Sequence, residues 1–348
     1  MDEELKDFHF LNTPEQGNDM EYQKTVHVRK TSPKTLLENV GNLVQESLAG
    51  HFDKDLKTVI KMNGNFDRIY PGSNTSPWFL DAFLSVLRDH GFRNLLVVEG
   101  DLMTFRAYDM IRRTGLIHIL HKYDTPFIDY EDFPRNEKEI PLLFDTAQVI
   151  NTPVPHAHGI AKISCATKNL FGVLPVYRRK YHRILSEKLL ETNDAMSMYT
   201  IVDGTIGLDS ESTRRGDPRR LDLLMAGWNN LKIDIIVSWI LGYDTPEEIP
   251  LLQMALEQNK VDKDIILAGD FNKKENLPRF NFKFEHSLIR KTAMMLENTF
   301  LEDTKSFVWC ETQLHKLYHA YSFRKKRTDL FKGDWMDYYK GYEEIINI

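Results

Sequence analysis

Five short apolar runs, each closed by an amide, an acid or a glycine, set the limits on what this chain can fold into. They are Lys57–Met62 (KTVIKM) before Asn63-Gly64-Asn65, Asn94–Val98 (NLLVV) before Glu99-Gly100-Asp101, Ala147–Ile150 before Asn151, Met198–Val202 (MYTIV) before Asp203-Gly204, and Asp264–Ala268 (DIILA) before Gly269-Asp270. A sixth run, Asp222–Ala226 (DLLMA), ends at Gly227. Runs this brief and nearly unbroken fit strands buried on both faces, as in a parallel sheet.

Helical patterns stand between them. Ser32-Pro33 precedes Leu36, Val40, Leu43, Val44 and Leu48, and Gly50 closes that helix. Ser76-Pro77 announces a second, carrying Phe79, Phe83, Leu84 and Leu87 and stopping at Gly91. Pro costs a first helical turn no hydrogen bond, and glycine suits the residue after the last turn. A third helix is capped by Thr104 and stops at Gly115, and Leu231–Leu241 and Pro246–Leu256 supply two more. The alternation predicts an α/β fold with a mostly parallel sheet flanked by helices.

Other stretches read differently. Residues 1–30 form a polar tail or strap, residues 121–145 a surface excursion, and GLDSESTRRGDPRRLD (207–222) a long charged loop. A loop of that length is either functional or disordered. From residue 271 aromatic and basic residues dominate, with a helix expected over Thr312–Phe323. The division is therefore a tail (1–30), an α/β core (31–270) and an aromatic, basic, α-rich C-terminal layer or cap (271–348).

A formal charge of -6 excludes a general nucleic-acid binder, which carries a basic excess. No apolar run approaches the roughly 18 residues needed to cross a bilayer, so no membrane partner is expected. The acidic start MDEELKDFHF lacks the basic-then-apolar order of a signal peptide, which points to the cytoplasm. Two cysteines, Cys165 and Cys310, fall short of the four thiolates an iron–sulfur cluster usually needs, so none is expected.

In open α/β sheets ligands bind outside the carboxyl ends of the strands. That rule nominates Asn63, Asn65, Glu99, Asn151, Asn169 and Gly172 as substrate-binding residues and Asp203 as a catalytic one. The same residue types also end strands and cap helices for purely structural reasons. The richest stretch is Val149–Arg183, which brings together His156, His158, Lys168 and Asn169 and ends in a basic cluster. Two residues apart on an extended chain, His156 and His158 share one face about 6–7 Å apart and can ligate a divalent metal. Either imidazole can also move a proton near neutrality. Lys168 before Phe171-Gly172 suits an anionic group approached by backbone amides. Neither a P-loop nor a G-x-G-x-x-G pattern occurs, so a nucleotide site is not expected.

The blocks IKMNGN, LLVVEGD, VINTPVPHAH, ATKNLFGVLP, IVDGTIGL and KIDIIVSWILGYD, in that order between residues 57 and 270, resemble the family of domain of unknown function 362. That family is often met beside ferredoxin-type iron–sulfur modules. The chain departs from its pattern at His156, where the family usually has lysine, and at SESTRRGDPRR, which replaces a glycine-proline loop. No cysteine-rich ferredoxin block occurs in these residues, so any electron relay implies a separate redox partner. A fainter likeness to the N-terminal half of the lactate racemase family singles out Lys168. These readings lead to an enzyme acting on a small anionic metabolite, bearing carboxylate or phosphate, in a crevice at the strand ends. Lys168 and Asn169 would hold the anion, His158 would move a proton, and Asp203 would orient it or bind a metal. The alternative is a non-catalytic metal-binding or redox-accessory protein.

Overall fold

The computed structural model describes residues 19–210, 216–283, 313, 317 and 329–346. A short helix α1 (Asp19–Lys24) leads into β1 (Thr25–Lys30), and α2 (Leu36–Ser47) into β2 (Thr58–Met62). Then come α3 (Pro77–Asp89), β3 (Leu95–Glu99), α4 (Ala107–Arg113), α5 (Leu116–Lys122) and β4 (Phe127–Asp129). They are followed by β5 (Gln148–Thr152), β6 (His156–His158), β7 (Lys162–Ser164), α6 (Ala166–Asn169) and α7 (Leu185–Asp194). The last large elements are β8 (Tyr199–Asp209), β9 (Asp217–Gly227), α8 (Asn230–Leu241), α9 (Pro250–Glu257) and β10 (Ile266–Gly269).

Among the described residues ten strands form one sheet in the order β10-β1-β9-β8-β5-β2-β3-β4, with the β6–β7 hairpin joined to β8. Strands β4, β3, β2, β5 and β8 run parallel, as do β1 and β10, while β9 runs antiparallel to both of its neighbours. The expected α/β fold with a mostly parallel sheet is the fold observed. The sheet grows from β2 to β3 to β4 and then returns to the other side of β2 with β5. The carboxyl ends of β2 and β5 are thus a topological switch point.

Side chains alternate across the sheet because successive residues of a strand point to opposite faces. Ile60, Val97 and Ile150 join α2 and α3 through Leu43, Val44, Phe79 and Phe83 on one face. On the other face Val26, Val28, Val202 and Met225 meet α7, α8 and α9 through Leu189, Ile236, Val237 and Leu252. Helix α3 starts where Ser76 Oγ accepts a hydrogen bond from Phe79 N (3.4 Å) with Pro77 at the first turn. It buries Trp78, Phe79, Leu80, Phe83, Leu84 and Leu87. Each such large apolar side chain contributes about 1.5–3 kcal/mol relative to exposure.

The structure departs from the sequence reading in several places. Residues 25–30 are not tail but β1, an inner strand paired with β9 and β10, whose Val26 and Val28 alternate inward. Of the stretch 207–222, residues 211–215 lie outside the described residues, and the flanks are strand: β8 runs to Asp209 and β9 starts at Asp217, paired antiparallel from there inward. Charged side chains on the outward face hid that pairing. Asp203 consequently lies inside β8 rather than after a strand, and Asn151 lies inside β5. The 121–145 excursion contains the edge strand β4 and buries Tyr130, Ile140, Leu143 and Phe144. The helix expected over Thr312–Phe323 lies outside the described residues except for Gln313 and Leu317, both helical. Cys310 lies outside them too. Of the C-terminal layer, the 3-10 turn at Asp334–Tyr339 packs Tyr338 and Tyr339 on Trp78, with ring centroids 5.2 and 4.8 Å away.

Candidate functional site

The switch point between β2 and β5 is filled by the protein's own amides. Asn169 Nδ2 donates to Asn151 Oδ1 (2.8 Å) and to the Met62 carbonyl (3.3 Å). Asn151 Nδ2 donates to the Ala166 carbonyl and to Thr200 Oγ1. The four-residue helix α6 is pinned there because the buried Asp234 carboxylate accepts from Ala166 N (2.8 Å) and Thr167 N (2.9 Å). Burial pushes Asp234 up to about 6, against those amides, which pull it down. Beside this plug, Asn63 Nδ2 donates to the Ser73 carbonyl (2.8 Å) and Asn65 Nδ2 to Asn63 Oδ1 (2.9 Å). Asn63, Asn65, Asn151 and Asn169 are thus brought close around the ends of β2 and β5. Their amides tie chain segments to one another.

Glu99, at the end of β3, is the hub of the neighbouring layer. Lys61 Nζ donates to Glu99 Oε2 (2.8 Å) and Oε1 (3.1 Å) and to the Met62 carbonyl (2.7 Å). The Gly64 and Gly100 amides donate to the same carboxylate at 3.0 Å each, and Tyr130 OH at 3.1 Å. Both members of the ion pair are almost fully enclosed, with side-chain exposures of 1% and 3%. Burial lowers the Lys61 pKa, with Glu99 opposing, and raises that of Tyr130. Gly172 closes the lid: a Cβ there would lie 3.1 Å from Lys61 Nζ and 3.3 Å from Glu99 Oε1. Lys61 was not nominated from the sequence, although a lysine inside the apolar run KTVIKM was the available signal.

Above this layer a cavity of about 830 Å³ opens beyond β2 and β3, lined by Arg68, Asp101, Thr104, Arg106, Asp109 and Arg113 among others. The volume is that of a metabolite pocket. Most of its walls come from the segments that follow Gly64 and Gly100, the two residues whose amides Glu99 holds, and Val176, Gln313 and Leu317 complete the lining. Arg113 pairs with Asp67 on the rim. Arg106 is exposed and makes no ion pair with a described residue. Asp101 Oδ1 accepts from Ala107 N (2.8 Å), and burial, with Asp101 nearby, raises the Asp129 carboxyl to about 7. Asp129 also accepts from Glu131 N (2.9 Å). These residues were missed because their loops carry no period, and only folding sets Asp129 beside Asp101.

The remaining expected residues occupy separate places. Asp203 is buried, and its carboxylate accepts from Ser76 N (2.8 Å) and Thr205 Oγ1 (2.7 Å), fixing the start of α3. His156 is buried with Nε2 2.6 Å from the Gly72 carbonyl, and burial lowers it to about 4. A ring so disposed stays neutral at physiological pH. His158 sits at the β6–β7 turn, where Nδ1 accepts from Ile160 N (3.1 Å) and Ala161 N (3.2 Å). Lys168 is half-buried, with Nζ 5.2 Å from the centre of the Phe171 ring. Among the described residues no three His, Cys, Asp or Glu side chains gather as a metal site. Cys165 is buried and its thiol pKa is raised by burial.

Comparison with known proteins adds a family and two relatives. The family model described as "Domain of unknown function (DUF362)" matches residues 58–238, which contain β2 through most of α8. A thylakoid-associated protein of Synechocystis is 25% identical over 244 residues, covering 64% of this chain and 72% of that protein. A structural-genomics crystal structure of a Thermotoga maritima protein aligns over 51% of each chain with 11% identity and a TM-score of 0.32. Among the described residues no helix is long and apolar enough to cross a membrane.

Proposed function

The chain belongs to the family of the domain of unknown function DUF362, and from that premise we propose that it is an enzyme acting on a small anionic metabolite, bearing carboxylate or phosphate, in the crevice beyond β2 and β3. The observation that carries this reading is the exposed Arg106, without an acid partner among the described residues, on the wall of an 830 Å³ cavity. A guanidinium presents a planar fork of donors that matches carboxylate and phosphate oxygens. Arg68 and Arg113 line the same space. Anion capture is assigned to these arginines rather than to Lys168, which lies against Phe171 outside the cavity lining. The amides of Asn63, Asn151 and Asn169 support the cavity from below by fixing the ends of β2 and β5.

Calorimetric titration of the full chain with a panel of carboxylate and phosphate metabolites tests the reading. At least one should bind, and Arg106→Ala should weaken it by about 10–100-fold, the loss of a charge-assisted pair, with an unchanged unfolding midpoint. No binding at millimolar concentration, or an unaffected R106A variant, would sink it. Elemental analysis of untagged protein addresses the metal-delivery or redox-accessory alternative, which stoichiometric metal held through His156 and His158 would favour. The proposed setting is the cytoplasm. Fractionation that recovers the protein on membranes, as the name of the Synechocystis relative describes for that protein, would overturn this placement.

A further inference from the structure

We infer that the crevice takes an amphipathic anion, a carboxylate or phosphate head on an apolar body, rather than a bare small anion. The inference deepens the anion-binding reading and rests on it. The cavity has two unlike walls. Helix α4 supplies the charged one, with Arg106 at its N-cap and Asp109 and Arg113 spaced to share that helix face. Arg113 pairs with Asp67, and Asp101 Oδ1 is taken up by Ala107 N, which leaves Arg106 for the head. The other wall is apolar and comes from two further segments. Leu102 and Phe105 exchange backbone hydrogen bonds (3.1 and 3.2 Å), closing a tight turn with Met103 at its tip. Val176 joins it from the segment after Gly172.

Two observations point from this wall to a ligand. Met103 and Val176 are half-buried and line the cavity, yet they pack against none of the apolar cores among the described residues. Apolar side chains with no core to serve, set in a concave space, gain from being covered by an apolar ligand. The flexible thioether of methionine suits such a contact. The second observation is that the wall is held from behind by a buried charge. Arg178 is 8% exposed. It donates to the Asp101 carbonyl (3.0 Å) at the base of the turn and to the Leu174 carbonyl (2.9 Å), two residues before Val176. Val176 N donates in turn to Glu131 Oε1 (2.8 Å). One guanidinium thereby fixes the segments of Met103 and Val176 in a single frame. The volume agrees with an extended ligand. At a water's share of ~30 Å³ per non-hydrogen atom, 830 Å³ has room for roughly 25 such atoms. A bare carboxylate or phosphate would leave most of that space to water.

Calorimetry of the full chain with straight-chain carboxylates from butanoate to octanoate, and with butyl and octyl phosphate, tests this. Affinity should rise about two- to fourfold per added methylene. Octan-1-ol, which lacks the charge, should bind about tenfold more weakly than octanoate. The double variant Met103→Gln with Val176→Thr replaces the two side chains by polar ones of similar size. It should lower octanoate affinity about tenfold and leave that of butanoate unchanged. Arg106→Ala should lower every anion by a similar factor and keep the dependence on chain length. Equal affinity along the series, still lost in R106A, overturns the amphipathic inference and leaves the anion reading standing. An unaltered dependence on chain length in the double variant overturns the assignment of the apolar wall. Octan-1-ol binding as tightly as octanoate, with R106A without effect, overturns the anion reading and the inference with it. Absence of binding by every probe at millimolar concentration overturns both.

Discussion

At the scale of single residues, Lys61 and Glu99 form an ion pair almost entirely withdrawn from water. Both are nearly excluded from water, and Glu99 takes hydrogen bonds from Lys61, two backbone amides and Tyr130. Glu99→Gln leaves a buried ammonium without its counter-charge and turns an amide NH2 toward backbone donors. Breaking one side of such a pair costs about 3–5 kcal/mol, so urea unfolding of E99Q should show a loss of that size. A loss below about 1 kcal/mol would mean that the ion pair is not enclosed as described. Glu99 was nominated from the sequence because an acid after an apolar run stands out. Its role as the tie between two crevice walls could not be read there, since Gly64 and Gly100 reach it only after β2 and β3 pair.

At the scale of elements, the strands that read most clearly were the central parallel ones, and those that did not were the partly exposed ones. TVHVRK alternates rather than running apolar and passes for a polar linker, as does the DPRR start of β9, whose later part DLLMA was legible as a strand. Neighbouring strands supply the missing hydrogen bonds: Val28 of β1 pairs with Met225 on one side and Gly269 on the other. The double substitution Val26→Ala and Val28→Ala removes the two side chains by which β1 joins the core. Truncations of this kind cost about 2–5 kcal/mol, measurable as a lower denaturant midpoint. A change under about 0.5 kcal/mol would exclude β1 from the interior of the sheet. His156 and His158 illustrate the same limit. Their spacing on one strand was legible, but one ring is buried against Gly72 and the other caps a turn.

At the scale of the whole molecule, the C-terminal turn closes the α3 side. Arg220 of β9 grips Asp337 through both carboxylate oxygens (2.9 Å each), Tyr338 OH donates to Asp222 (2.7 Å), and Tyr339 packs edge-on against Trp78. Tyr339→Ala should therefore lower global stability by about 3–5 kcal/mol, as for other buried aromatics, and should do so within a single cooperative transition. A separate early transition would show that the turn docks without sharing the core's cooperativity.

The sequence by itself determined the α/β class, the order of the central strands and helices, and the set of amides and acids that collect at their carboxyl ends. These follow from local causes: apolar periodicity, caps and glycine stops act within a few residues of one another. Tertiary structure alone decided what those residues do. It sent β5 back beside β2, so that Asn151 and Asn169 plug the switch point instead of lining it. It ran β8 through Asp203, making that acid an anchor for α3. It also moved the open cavity to the loops after β2 and β3, where Arg68, Arg106 and Asp101 meet. Such meetings depend on contacts between segments tens of residues apart, and no local pattern encodes them.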